Sequence, residues 1–305
     1  MSTSPWFDGF EAAHHDVNGV QIFARTGGQR DGPPLLLLHG FPQTHALWHR
    51  VAQRLAHHFR LVLPDLRGYG DSSKLPGDAE HANHSKRAMA QDMAALMSRL
   101  GHEQFGVVGH DRGGRVAHRL ALDHAARISS LCLLDIAPTL DMYEATDMAF
   151  ASAYYHWFLL IQPAPLPERL IGANDDTARF YLHRSLGGWG AGGTAHIEPA
   201  ALAEYERCFC RPEAIHSACE DYRAAATIDL VHDRASRAAE ERIACDTLVL
   251  WGAKGVVQRL FKPLELWQAQ CAGRVSGTAL PCGHFLPEEA PDETAAALLA
   301  HLQAR

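Results

Sequence analysis

Gly109-His110-Asp111-Arg112-Gly113 reads glycine, any residue, nucleophile, any residue, glycine, with a carboxylate at its centre. The apolar run from Phe105 to Val108 precedes it, and the helix-like Arg115-Val116-Ala117-His118-Arg119-Leu120-Ala121-Leu122 follows. Strand, tight turn and helix are the context in which such a motif forms a nucleophile elbow. Gly109 and Gly113 let strand and helix pack closely while the central side chain is held out at the tip. A carboxylate there is ionised at neutral pH and attacks without a base first taking its proton. Its natural targets are electrophilic sp3 carbons, such as one bearing a halide or an epoxide oxygen. The motif alone is equally compatible with an aspartate that caps a helix, so the rest of the chain decides.

The 305 residues suffice for one large domain or one domain with a sizeable insertion. Hydrophobic residues make up 47% and charged residues 21%, an ordinary globular composition. A formal charge of −7 and the lack of any long basic run argue against nucleic acid as a partner. The 20 histidines are scattered, as at His57, His58, His118 and His124, without metal-ligand spacing. Seven cysteines, an odd number with no paired spacing, read as free thiols in a reducing compartment. The stretch Met1-Ser2-Thr3-Ser4-Pro5-Trp6 has neither a basic region nor an apolar core, and no run approaches the ~20 apolar residues of a membrane span. A cytoplasmic protein that does not engage a membrane is the expectation.

Apolar runs recur along the chain, each ending in a turn that carries polar residues. Leu35 to Leu38 leads into His39-Gly40-Phe41-Pro42, and Leu61 to Leu63 into Pro64-Asp65-Leu66-Arg67-Gly68-Tyr69-Gly70. Leu131 to Leu134 ends at Asp135-Ile136-Ala137-Pro138, Thr247 to Leu250 at Trp251-Gly252, and a last short strand near Thr278 to Leu280 at Cys282-Gly283-His284. Continuous apolar strands alternating with helices predict an α/β fold with a mostly parallel sheet buried on both faces. Polar residues at the carboxyl ends of those strands are where open α/β sheets bind ligands. The alternation stops after Pro138, and helical patterns run to about Arg234. Within them lie the aromatic cluster Tyr154-Tyr155-His156-Trp157-Phe158, the turn-rich Gln162-Pro163-Ala164-Pro165-Leu166-Pro167, and Gly187-Gly188-Trp189-Gly190 with Gly192-Gly193, a candidate mobile loop. Residues 1–138 and 236–305 are therefore expected to form the core, and residues 139–235 a helical cap inserted over its active edge.

These motifs resemble the α/β-hydrolase superfamily over nearly the whole chain. His39-Gly40-Phe41-Pro42 resembles its oxyanion-hole loop, and His284 in Cys282-Gly283-His284-Phe285-Leu286-Pro287 its catalytic histidine. The order nucleophile, acid, histidine is also the family's. Within the superfamily the chain is most similar to fluoroacetate dehalogenases. Asp111-Arg112-Gly113-Gly114-Arg115, Tyr155-His156-Trp157, the proline-rich turn from Gln162 to Pro167, and Cys219-Glu220-Asp221-Tyr222-Arg223 carry that likeness together. The superfamily's usual acid position, after Leu248-Val249-Leu250-Trp251-Gly252, holds no carboxylate in Ala253-Lys254-Gly255-Val256-Val257. Asp135 is the available substitute, and the resemblance implies that role, against a plain turn residue beside Pro138.

The chemistry can be argued beside the likeness. Arg112 and Arg115 stand three residues apart at the start of a helix, near the positive end of its dipole. Two guanidinium groups beside a nucleophilic carboxylate suit a substrate carboxylate held with its α-carbon against Asp111; surface arginines in salt bridges are the plainer reading. A departing halide needs donors opposite the attack. The resemblance assigns His156, Trp157 and Tyr222 to it, where composition alone reads core packing. It likewise implies attack by a His284-activated water on an ester of Asp111, with the backbone N–H groups of Phe41 and Arg112 as oxyanion hole, and a homodimer. The expected activity is haloacetate dehalogenation, without cofactor or metal. Epoxide hydrolysis shares Asp and His chemistry but has no use for two arginines at the nucleophile. A haloalkane dehalogenase would carry tryptophan where this chain has Arg112, and a non-catalytic small-acid binder would be expected to lose part of the triad. A carboxylesterase is disfavoured, because carboxylate attack on an ester yields an anhydride.

Overall fold

The computed structural model describes residues 6–304, so that Met1 to Pro5 of the N-terminal stretch lie outside the described residues. Eight strands form one sheet: β1 (Glu11–Val17), β2 (Val20–Gly28), β3 (Pro34–Leu38), β4 (Arg60–Pro64), β5 (Phe105–His110), β6 (Ile128–Leu134), β7 (Thr247–Gly252) and β8 (Val275–Leu280). Their order is β1-β2-β4-β3-β5-β6-β7-β8. Strands β3 to β8 run parallel to one another, and β1 and β2 are antiparallel additions at the β4 edge. The central strands alternate between two cores. Leu36, Leu38, Val62, Val107, Leu131 and Val249 face one, while Leu35, Leu37, Leu61, Val108, Leu134 and Leu250 face the other. That two-sided burial is why these strands read as unbroken apolar runs.

The β1–β2 hairpin has no apolar run to announce it. Most of β1 is exposed, and the hairpin turns through Asn18 and Gly19, both at positive φ. An Asn-Gly pair supplies that geometry at little cost, and it is the one sequence signal for the hairpin.

Chain direction across the sheet reverses between β3 and β5. From β3 the chain passes to β4 on one side; from β5 it passes through α1 (Arg112–Asp123) to β6 on the other. Such a switch point, at the carboxyl ends of β3 and β5, is where open α/β sheets bind ligands. Between β6 and β7, eight helices occupy Thr139 to Ala238 among the described residues, including α2 (Tyr155–Leu160), α3 (Pro199–Phe209) and α4 (Pro212–Ala226). The middle of α4, from Ser217 to Ala225, is buried throughout, so it packs on all sides rather than along one stripe.

Glycines set how closely α1 approaches β5 and β3. A Cβ at Gly109 would stand 2.5 Å from the Gly113 carbonyl oxygen, and one at Gly113 would collide with the carbonyls of His39 and Leu38. Backbone cannot yield as a side-chain tip can, so Gly113→Ala is expected to lower unfolding free energy by about 1–3 kcal/mol. Urea denaturation monitored by circular dichroism measures this; an unchanged midpoint would contradict the packing described.

Candidate active site

Asp111 sits between the last residue of β5 and the first of α1 with φ 48° and ψ −117°. A non-glycine residue held there stores on the order of 1–3 kcal/mol of strain, which the flanking strand and helix must sustain. The buried Oδ1 accepts a hydrogen bond of 3.0 Å from the Phe41 N–H in the loop after β3. Gly40 permits that approach, since a Cβ there would lie 2.5 Å from the Asp111 Cβ. The Arg112 N–H opens α1 beside it, and the first N–H groups of a helix have no partner within it.

The loop after β8 delivers His284, whose Nε2 lies 3.8 Å from Asp111 Oδ2. Its Nδ1 lies 2.5 Å from Asp135 Oδ2, at the end of β6, and Asp135 Oδ1 accepts the Gly252 N–H at 2.9 Å. His110 Nε2 donates to the His284 carbonyl at 2.8 Å, which fixes the loop. Burial, then the neighbouring His284, pushes His110 down to about 3, so it stays a neutral donor. For His284, burial opposes the charged ring, but the hydrogen bond and charge of Asp135, then Asp111, outweigh it and raise its pKa. Burial also works against the Asp111 carboxylate, yet His284, His110, Arg115 and Arg112 hold its pKa below the usual value.

Both arginines are buried and differently engaged. Arg112 is paired with Asp221 of α4: Nε to Oδ2 at 2.9 Å, Nη2 to Oδ1 at 2.7 Å, and Nη2 to the backbone carbonyl at 2.8 Å. Its Nη1 is buried with no hydrogen-bond partner. Arg115 Nη1 donates to the Ala137 carbonyl and the Thr139 hydroxyl, and Nη2 approaches Met142 Sδ, while Nε has no partner. Among the described residues no carboxylate lies within ion-pair distance of Arg115. The guanidinium groups lie over aromatic faces, Arg112 at 4.1 Å from the Tyr222 centroid and Arg115 at 4.7 Å from Trp157.

His156 stacks on Phe41 with centroids 6.1 Å apart and meets Tyr222 edge-on at 5.7 Å. The fold thus brings His156, Trp157 and Tyr222 together around Asp111, Arg112 and Arg115. Burial, opposed by Asp111, pushes His156 down to about 3 and keeps its ring neutral. His156 Nδ1 and Trp157 Nε1 are buried without partners.

Three residues that sequence reasoning did not place also belong here. Trp189, from the glycine-rich segment, packs its ring 4.5 Å from His156 and 5.3 Å from His284. Its position between Gly188 and Gly190 was the available signal. Asp221 lies inside a motif already singled out. Glu288, four residues after His284, accepts hydrogen bonds from Gln43 at 2.6 Å and from Tyr205 of α3 at 2.9 Å; burial is the chief reason its pKa is pushed up to about 8. It joins the loop after β3, the histidine loop and the inserted helices.

Fold and site define an α/β hydrolase, and the chain belongs to that family: the family model for the alpha/beta hydrolase fold matches residues 33–291. A fluoroacetate dehalogenase from Burkholderia sp. is 47% identical over 289 residues, covering 95% of this chain and 92% of that protein. A soluble epoxide hydrolase from Corynebacterium sp. (strain C12) is 31% identical, covering 92% and 94%. A solved α/β hydrolase structure from Nostoc sp. PCC 7120 superposes with a TM-score of 0.93 at 54% identity, covering 98% of this chain and 99% of that one.

The Asp135–His284 pair makes a direct prediction. NMR titration of the His284 ring is expected to give a pKa above the ordinary ~6.5, and a lower one in Asp135→Asn, where only the charges of Asp111 and Glu289 still oppose burial. A His284 pKa at or below the ordinary value in the unsubstituted protein would contradict the pair as described.

Proposed function

We propose that this chain hydrolyses haloacetates, fluoroacetate among them, to glycolate and halide through an ester on Asp111. One observation carries the reading: beside a buried nucleophilic carboxylate stands a buried Arg115 without a carboxylate partner among the described residues. A buried charge left unpaired costs several kcal/mol, and an anionic substrate supplies the missing partner. The unengaged Arg112 Nη1 and Arg115 Nε are the donors for its carboxylate. The 47% identity to a fluoroacetate dehalogenase supports the same substrate class.

Phe41 holds Oδ1, which leaves Asp111 Oδ2 to attack. A bond forms from Oδ2 to the α-carbon as the carbon–halogen bond breaks, and the halide leaves opposite with the bonding pair. Donors at that departure point stabilise the developing charge, for which His156, Trp157 and Tyr222 are the candidates. In the second step His284 Nε2 takes a proton from water, and the hydroxide adds to the Asp111 ester carbon. The Phe41 and Arg112 N–H groups would hold the oxyanion on Oδ1. Collapse breaks the bond to Oδ2, so glycolate leaves with an oxygen from Asp111. The new carboxyl gives its proton to the departing alkoxide, and His284 releases its own to solvent. Asp135 steadies the protonated ring between the two. Residues 139–235 act in this reading as a cap that excludes water from the halide, and the homodimer implied by the resemblance belongs to the same proposal.

An epoxide hydrolase would run the same two steps, and the 31% identical relative keeps that reading in view. A neutral epoxide leaves Arg115 uncompensated, which favours the haloacetate. Chloroacetate and fluoroacetate are expected to release halide and glycolate with the unsubstituted protein and not with Asp111→Ala. Arg115→Met is expected to lose at least about a hundredfold in kcat/KM, from removal of a buried charge-assisted contact. Epoxide turnover that survives Arg115→Met, with no halide release, would overturn the proposal. With His284→Asn, intact-mass spectrometry is expected to show one carboxymethyl group accumulating on the protein; no adduct under conditions where halide is released would contradict the two-step route.

A further inference from the structure

Asp221 is the carboxylate on which Arg112 and Lys86 converge. It comes from α4 of the inserted helices and is fully buried. Besides the two-pronged contact with Arg112, it accepts the Tyr69 hydroxyl at 2.6 Å from the loop after β4, and the Lys86 ammonium. Lys86 opens the helix Lys86–Arg99 and lies 3.5 Å from the Asp229 carboxylate. Burial disfavours a charged Asp221, but Arg112 and then Lys86 outweigh it and keep the group ionised. Arg112 and Lys86 thus share Asp221, Asp229 stands as a second and longer contact of Lys86, and Arg115 is left over.

This arrangement divides labour between the arginines. Asp221 occupies Nε and Nη2 of Arg112, so only Nη1 can reach a substrate. A guanidinium held on two nitrogens cannot rotate toward the adjacent Asp111 carboxylate and pair with the nucleophile. We propose that Asp221 is a positioning residue for the reaction: it locks the Arg112 guanidinium and offsets part of its charge, so that Arg112 orients the haloacetate carboxylate while Arg115 supplies the matching charge. Because Asp221 stands on the inserted helices and Arg112 on α1, the grip on substrate forms only when the two parts of the fold are docked. This inference rests on the haloacetate reading above.

The test is Asp221→Asn, which preserves shape and removes the charge. Arg112 then gains net charge but loses its fixed direction. Chloroacetate turnover is expected to show kcat reduced about a hundredfold by the misplacement, with KM changed less than about threefold. A merely structural role would instead lower the melting temperature and leave kcat per folded active site intact. If Asp221 acts through Arg112, the double variant D221N/R112K is no slower than R112K alone. Should D221N fail to fold, Tyr69→Phe removes one donor to Asp221 and is expected to give the same split, at about threefold in kcat. Full kcat in folded D221N or in Y69F, or multiplicative losses in the double variant, overturns the positioning role while leaving the haloacetate reading intact. Unsubstituted protein that neither releases chloride nor binds acetate overturns both.

Discussion

Two anions must meet inside the protein: the Asp111 carboxylate and, in our proposal, the carboxylate of a haloacetate. At 4 Å, with an effective dielectric of about 20, their repulsion amounts to about 4 kcal/mol, enough to keep the α-carbon out of reach. The surroundings of Asp111 answer that constraint. Its own charge is held by the Phe41 N–H and by the fields of His284, His110, Arg115 and Arg112. Arg115 carries a positive charge matched by no carboxylate within ion-pair distance among the described residues. Asp221 restrains the second arginine, which would otherwise be free to quench the nucleophile.

Backbone architecture delivers these charges to one point. Asp111, Asp135 and His284 follow β5, β6 and β8, and Phe41 follows β3, all at the carboxyl ends of parallel strands. Chain direction reverses between β3 and β5, and at that switch point the Phe41 N–H meets the Asp111 carboxylate. Glycines 40, 109 and 113 bring backbone close enough for a strained elbow to be held rigidly. The inserted helices then close the far side with His156, Trp157 and Tyr222, and the faces of Tyr222 and Trp157 also seat the two guanidinium groups.

Much of this is legible in the sequence, for physical reasons. Strands buried on both faces are continuous apolar runs, and the elbow is flanked by glycines that only a close crossing requires. Asp135 ends the apolar run of β6, but its role and that of His284 are implied by the family resemblance rather than by local pattern. The β1–β2 hairpin escapes the same logic, since a largely exposed edge strand needs no apolar run and only the Asn18-Gly19 turn marks it. Partner identity is harder still. Asp221 stands 109 residues from Arg112, and no local spacing marks the contact. Nor does the glycine-rich segment, which suggests a mobile loop, reveal that Trp189 packs on His156 and His284.

The proposed reaction depends most on a covalent ester at Asp111, and oxygen tracing tests that ester directly. A single turnover of chloroacetate with protein in excess is run in 18O-labelled water, and both glycolate and the peptide containing Asp111 are weighed. Attack by Asp111 followed by hydrolysis at its carbonyl leaves the label in Asp111 and releases unlabelled glycolate. Label appearing in glycolate during that first turnover would mean that water attacks the substrate directly, and would contradict the mechanism.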